Sequence, residues 1–342
     1  MQRQLAEESG LIRTIKPSRA YRNPSEEMMR IAIVTPTKTA SRTGNRITAN
    51  RWARLLRSLG HRVSVFTEYD GGRFDVLIAL HAVKSARSIF QFRRDFPKGL
   101  IVLALTGTDV YGNVRSPSAT RSLELADRIV VLQPLAIARL QQRHRRKATV
   151  IYQSVEATTT SPARCHRSFR IIVVGHLRAV KDPFRTAMAV RSLPKSSRIE
   201  VLHFGAALTD AMRRRALQEQ HRNARYRWIG ERPRYVVKKK LAESDLFVLT
   251  SRQEGGANVV GEAIVMGTPV ISSRIAGSIG LLGARYPGYF PVGDTRALTD
   301  LLLRAEMESA FYNRLQTACL SLVPLFDRRR ERESWKKLLS TA

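Results

Sequence analysis

Asp245-Leu246-Phe247-Val248-Leu249-Thr250-Ser251-Arg252-Gln253-Glu254-Gly255-Gly256-Ala257-Asn258-Val259-Val260-Gly261-Glu262 is the stretch on which the fold turns. Its apolar opening, 245–249, reads as a buried strand, because a strand covered on both faces is apolar without alternation. Gly255 and Gly256 then let the backbone approach a ligand closely. A helix is expected to begin near Asn258 and to end at Gly267, before Pro269. A helix that starts just after a strand presents free N–H groups and a partial positive charge, which suit a phosphate.

Outward from this unit, the same alternation fills the chain. Upstream in the same half, strands are expected at 169–175, 199–204 and 225–229, and downstream at 269–272, with helices between them. Thr158-Thr159-Thr160-Ser161-Pro162 reads as a linker, and before it the pattern runs once already. Arg30-Ile31-Ala32-Ile33-Val34 is a buried strand. A helix over 46–59 ends at Gly60. Further strands are expected at 62–66, 75–80, 100–105, 128–132 and 149–152, with helices at 86–96 and 134–145. Apolar strands separated by helices imply parallel sheets covered on both faces. The expected division is a polar extension over 1–27, an N-terminal Rossmann-like domain over 28–157, a C-terminal Rossmann-like domain over 165–325, and a closing helix over 326–342 that crosses back to the first domain. In such folds ligands bind beyond the carboxyl ends of the strands.

The 342 residues fit two domains, and 43% hydrophobic with 25% charged residues is a globular balance. The net charge of +31 points toward anionic partners. No RNA- or DNA-binding motif accompanies it, so nucleic acid is not expected as the main partner. Two cysteines, Cys165 and Cys319, without a CxxC pair speak against a disulfide framework or a zinc site. With no apolar run long enough to span a membrane and no signal-peptide core, a cytoplasmic location is expected. No metal-binding carboxylate pair is apparent, and no metal or other cofactor is expected to be required.

Several loops fall at strand ends and carry polar chemistry. In the second half these are Gly175-His176-Leu177-Arg178-Ala179-Val180-Lys181-Asp182-Pro183, Gly230-Glu231, and Glu254 through Glu262 with Gly255, Gly256, Ala257, Asn258 and Val259. Glu254 lies on its loop, placed to accept hydrogen bonds from sugar hydroxyls. Glu262 lies about one turn into the helix, within reach of ribose hydroxyls. In the first half, Thr43-Gly44-Asn45-Arg46 follows the first strand, where a glycine permits close approach. His81-Ala82-Val83-Lys84-Ser85, with Arg87 beyond it, ends the strand at 75–80. Thr106-Gly107-Thr108-Asp109-Val110-Tyr111 ends the strand at 100–105.

The Glu254/Glu262 spacing in this context resembles the retaining GT-B glycosyltransferases that carry a Glu-x7-Glu motif. The resemblance implies an α/β GT-B fold, with two doubly wound Rossmann-like domains facing across a cleft. It also implies that Glu254 contacts the donor sugar and Glu262 the nucleotide ribose. That family usually holds the donor pyrophosphate with an Arg/Lys pair after the first strand of the second domain. Lys181 fits the lysine, whereas His176 stands where arginine is usual, so Arg178 is expected to supply the missing charge. Fixed cations stabilise the charge that develops on a departing nucleoside diphosphate. Glu254, Lys181 and Arg178 are thus the candidate catalytic residues. Gly44, Asn45, Gly175, His176, Gly230, Glu231, Gly255, Gly256, Ala257, Asn258, Val259 and Glu262 join them in donor binding.

The segments 80–85, 105–111, 175–184 and 254–260, with Gly280-Leu281-Leu282-Gly283 and Tyr286-Pro287-Gly288-Tyr289, are similar to the selenosugar synthases of selenoneine biosynthesis. Ala179 stands where proline would be expected. This resemblance implies transfer of a sugar, typically N-acetylglucosamine, from a UDP-sugar to selenophosphate. Selenophosphate is already anionic and needs no general base, unlike an alcohol acceptor. It needs cations, for which Arg46, Lys84 and Arg87 are candidates, with Thr106, Thr108, His81 and Asp109 completing the acceptor side. Two other readings stand beside it: a glycosyltransferase acting on a hydroxyl, and a polyanion-binding protein on the same scaffold.

Overall fold

The computed structural model describes residues 28–36, 44–112, 116–156 and 167–340. The N-terminal extension, the 158–162 linker, Thr43 and Cys165 lie outside the described residues. Two six-stranded parallel sheets form the frame.

The first sheet comprises β1 (Arg30–Val34), β2 (Arg62–Phe66), β3 (Val76–Leu80), β4 (Leu100–Leu105), β5 (Arg128–Val131) and β6 (Ala148–Val150). Its helices are α1 (Gly44–Ser58), α2 (Ala86–Asp95), α3 (Pro117–Leu125) and the single turn α4 (Gln142–Arg145). Successive side chains on a strand face opposite ways. Accordingly Ile31 and Ile33 pack with Trp52 and Leu56 of α1, while Ala32 and Val34 join Ile89 and Phe92 of α2 on the other face.

The second sheet comprises β7 (Phe169–Val174), β8 (Ile199–Phe204), β9 (Tyr226–Gly230), β10 (Leu246–Leu249), β11 (Val270–Ser273) and β12 (Tyr289–Phe290). The remaining helices are α5 (Arg185–Arg191), α6 (Asp210–Arg222), α7 (Arg234–Ala242), α8 (Asn258–Val265), α9 (Ala276–Leu282), α10 (Thr295–Met307), α11 (Ser309–Leu320) and α12 (Arg328–Ser340). Their core is continuous from β7 to α11.

Strand order differs between the sheets. The first runs β2-β1-β3-β4-β5-β6 and the second β12-β11-β10-β7-β8-β9. Both are doubly wound, but the order reverses between β1 and β3 in one and between β7 and β10 in the other. Ligands in open α/β sheets bind at these reversal points.

One expected helix is broken. Residues 134–139 form a 3-10 turn, and Leu140 and Gln141 are extended before α4. Pro134 and the Gln133 side chain, which accepts the Leu135 N–H at 2.7 Å, start that turn. Leu140 is then pulled into the core, which ends it.

The closing helix α12 packs on the first domain. Trp335 meets Trp52 edge-on with ring centroids 4.8 Å apart. Glu331, buried at the same seam, accepts hydrogen bonds from Trp52 Nε1 at 2.8 Å and from the Ser154 N–H at 2.9 Å. The described residues contain no helix long and apolar enough to cross a membrane.

Candidate active site

The carboxyl ends of both sheets face one another across a narrow seam. Gly255, after β10, lies so close to the first domain that a Cβ there would sit 2.9 Å from the Gly107 backbone N and O. Gly256 is against Leu132 in the same way. Gly280 on α9 has no room for a side chain either, because Gln133 of the first domain occupies that space. Gly280 therefore belongs to the domain seam, and Tyr289 supports α9 by donating to the Gly283 carbonyl at 2.9 Å. The 280–289 stretch thus positions the cleft wall.

At the β7/β10 reversal point, Lys181 and Glu254 form an ion pair. Ser251 Oγ donates to the same Glu254 oxygen at 2.6 Å. Lys181 sits on a short turn, Ala179–Lys181. The turn is fixed from β10: Thr250 Oγ1 donates to the Lys181 and Asp182 carbonyls at 3.0 and 2.9 Å, and the Arg252 N–H donates to the Val180 carbonyl at 2.8 Å. Asp182 takes a left-handed conformation (φ 43°) and binds Arg185. Two side chains of opposite charge, 73 residues apart, are thereby held together on two strand ends.

His176 does not supply the charge that an arginine would. Its Nδ1 accepts the Ala206 N–H at 3.1 Å, and burial lowers its pKa, so the ring is neutral with its proton on Nε2. Glu231, at the end of β9 beside Gly230, acts on it in the opposite sense, and Arg178 and Lys181 in the same sense. Arg178 is exposed and makes no ion pair among the described residues. Arg252, which sequence reasoning missed, is also exposed, 3.7 Å from Asp182. Lys181, Arg178 and Arg252 are therefore the cations around this loop. Behind Gly175, His203 bridges its carbonyl at 3.1 Å and the Tyr226 hydroxyl at 2.9 Å, and burial lowers the His203 pKa to about 4.

Helix α8 begins at Asn258 without a side-chain cap from Ala257. Its first N–H groups, at Asn258 and Val259, are those a helix start leaves unpaired. The Asn258 side chain reaches the first domain, accepting from Arg51 Nη1 at 3.3 Å and approaching Thr48 Oγ1 at 3.5 Å. Gly44, at the start of α1, is beside it. Glu262 is buried and ion-paired with Arg234, the first residue of α7. Arg234 was not foreseen, since nothing in sequence links a cation to a carboxylate 28 residues on.

The first domain places its residues at the other reversal point. Thr106 Oγ1 donates to Asn45 Oδ1 at 2.8 Å. Arg46 is buried in α1, and burial lowers its pKa. His81 has a left-handed backbone (φ 81°), is buried, and accepts the Lys84 N–H at 3.3 Å. Burial also lowers the His81 pKa, against the opposing pull of Asp109 at 3.9 Å. Asp109 is fully buried and accepts the Gly107 and Ala82 N–H groups at 2.9 and 3.0 Å. It therefore braces the strand ends, which corrects its expected place among acceptor contacts. Lys84 is exposed beside His81. Arg87 is turned to Glu68 at 3.2 Å with 83% of its side chain exposed, and so stands apart from the cluster it was expected to join. The Thr108 side chain lies outside the described residues. Among the described residues, no group of three or more His, Cys, Asp and Glu side chains is gathered to hold a metal ion.

This architecture, two doubly wound sheets meeting at their carboxyl ends, is GT-B. HepE of Anabaena, solved in complex with UDP-glucose, superposes with a TM-score of 0.74 over 92% of this chain and 100% of its own, at 15% identity. Residues 160–318, the stretch that holds the second sheet, match the family of glycosyl transferases group 1. Among curated proteins, the amylovoran biosynthesis glycosyltransferase AmsK of Erwinia amylovora is 28% identical over 153 residues, 42% of this chain and 38% of AmsK. The putative teichuronic acid biosynthesis glycosyltransferase TuaC of Bacillus subtilis is 28% identical over 137 residues, 40% of this chain and 33% of TuaC. The matches span only 38% and 33% of the relatives' own lengths.

Proposed function

We propose that the protein is a hexosyltransferase that takes a sugar from a UDP-sugar and passes it to selenophosphate. The observation that carries the transferase reading is the Lys181–Glu254 pair at the β7/β10 reversal point, with the uncapped start of α8 beside it. The diphosphate of the donor lies against the first N–H groups of α8, Lys181 and Arg178. Glu254 accepts from the sugar hydroxyls and Glu262 from the ribose. HepE and its bound UDP-glucose support a UDP-sugar as the donor.

In the transfer the C1–O bond to UDP breaks and its electron pair leaves on the diphosphate. Lys181 and Arg178 stabilise that charge in place, so no metal ion is required. A selenium lone pair of selenophosphate forms the C1–Se bond. Water then cleaves the P–Se bond, releasing orthophosphate and a 1-seleno sugar. Lys84 and Arg46 hold the acceptor phosphate. Neutral His81 and the Thr106 hydroxyl contribute hydrogen bonds and no charge. The selenophosphate reading is supported by the segments 80–85, 105–111, 175–184 and 254–260, which fall at strand ends on this cleft.

Mass spectrometry of a reaction with UDP-N-acetylglucosamine and selenophosphate, with and without chelator, tests this. A selenium-bearing sugar and released UDP in both samples are expected. UDP release only when a hydroxyl acceptor is added would move the function to conventional glycosyl transfer. In Lys84→Ala the KM for selenophosphate rises at least tenfold, about 1.4 kcal/mol; an unchanged KM removes Lys84 from the acceptor site.

A further inference from the structure

Beneath the cleft, where the two domains join, a second pocket is built almost entirely from cations. It is lined by Arg51, Arg54 and Leu55 of α1, Ser154 and Glu156 of the interdomain connection, Arg234 and Lys238 of α7, and Arg328 of α12. Both domains and the returning helix therefore contribute. Five basic side chains line it against one carboxylate, Glu156. Two neighbouring carboxylates are already engaged: Glu262 with Arg234, and Glu331 with Trp52, Ser154 and, at 3.6 Å, Arg51.

Arg51 is almost fully buried, with 11% of its side chain exposed. Its Nη1 donates to the Ser154 carbonyl and to Asn258 Oδ1, each at 3.3 Å. Its Nε and Nη2 are buried and make no hydrogen bond among the described residues. A guanidinium offers five donors, and buried ones left unused call for a partner. Lys238 donates to the Glu156 backbone carbonyl at 3.2 Å. Burial lowers the pKa of Arg51 and of Lys238; Glu331 opposes the shift on Arg51 and Glu262 that on Lys238, and Arg234 adds to both. Like charges crowded at a domain junction oppose folding unless something of opposite charge joins them.

We propose that this junction pocket is a binding site for a phosphate-bearing anion, separate from the donor site. Its ligand is an orthophosphate- or pyrophosphate-type group that takes hydrogen bonds and charge from Arg54, Lys238 and Arg328, with the buried Arg51 adding charge behind them. Because the cations come from both domains, the anion ties them together at the hinge. The site is independent of the acceptor's identity, since none of its lining residues was assigned to the acceptor.

The test is calorimetric titration of pyrophosphate into the full chain saturated with UDP, at constant ionic strength. Binding of one pyrophosphate that UDP does not displace is expected. Arg54→Ala and Lys238→Ala each weaken it about tenfold. Lys239→Ala, one residue along on the exposed side of α7, leaves it unchanged. UDP affinity is unchanged in all three variants, which also shows that they are folded. Displacement by UDP, no saturable binding, or equal weakening by Lys239→Ala overturns the proposal. A parallel titration with orthophosphate separates the two sources: saturable binding of either supports the site, and the tighter one identifies whether it is shaped for one phosphate or two.

Discussion

The two domains share a sheet size and differ in what they place at the reversal point of strand order. The second domain puts charge there: Lys181 and Glu254 paired, with Arg178 and Arg252 exposed beside them. The first domain puts buried and mostly neutral groups there: Thr106 bound to Asn45, His81 kept neutral by burial, and Asp109 spent on two backbone N–H groups. A diphosphate leaving group brings charge that fixed cations must meet, so the charged end suits the donor. The neutral end, with Lys84 exposed at its margin and Arg46 buried behind it, is the one proposed for the acceptor. In the proposed reaction the same fold element serves two tasks, because the loops after its strands carry different groups.

The contrast extends to how each domain is held together. The second has a large core of its own with a small satellite cluster around Leu177, Phe184 and Ala216, whereas the first borrows α12 from the far end of the chain. Trp335→Ala removes the largest side chain of that contact and is expected to cost about 3–5 kcal/mol. Urea unfolding should show the first domain losing structure before the second. A loss below about 1 kcal/mol, or loss of the second domain first, would break this asymmetry.

Next in size is Glu254→Gln, which keeps the shape and removes the charge paired to Lys181. A fall in kcat of about 10²–10³ is expected with UDP affinity little changed, because UDP lacks the sugar that Glu254 is proposed to contact. If UDP binding weakens as much as kcat, Glu254 serves only to hold the Lys181 loop.

The third concerns acid. His203 has a folded pKa of about 4, below its ordinary value because of burial. The unfolded chain therefore binds the proton more readily between these values. Stability carried by neutral His203 is complete above about pH 6.5 and is lost as pH falls toward 4, by up to about 3 kcal/mol. His203→Gln should flatten the fall in melting temperature between pH 7 and pH 5. His176 and His81 are shifted in the same direction, so part of the slope remains. An undiminished slope would place the acid sensitivity in groups other than His203, His176 and His81 among them.

The smallest effect sharpens the acceptor side. Arg87→Ala should change stability by less than about 0.5 kcal/mol, as expected of an exposed ion pair, and the KM for the acceptor by less than about twofold. A larger effect on KM would return Arg87 to the cluster from which its pairing with Glu68 removes it.

Much of the fold was legible because buried parallel strands announce themselves as apolar runs. Phe169–Val174 and Leu100–Leu105 could be placed from such runs within a residue. The 134–145 helix was misread because its apolar spacing fits a helix, while Pro134, Gln133 and a buried Leu140 impose a turn and a break. Glu254 and Glu262 were legible as a spaced pair on a strand-loop-helix unit. The partners of Glu262 and Asn258, Arg234 and Arg51, were not, since each comes from a different helix distant in sequence.

Local order determined the rest of what sequence alone decides: the alternation of strands and helices, the loops at their carboxyl ends, and the type of side chain each loop carries. These depend on backbone propensity and burial within about ten residues. Tertiary structure alone decided which charges meet. Lys181 found Glu254, Arg234 found Glu262, and Arg87 was drawn away to Glu68, while five cations from three parts of the chain gathered at the domain junction. Coulomb attraction acts through space and falls with distance, and residues far apart in sequence become neighbours only when strand order and the returning helix have set them side by side.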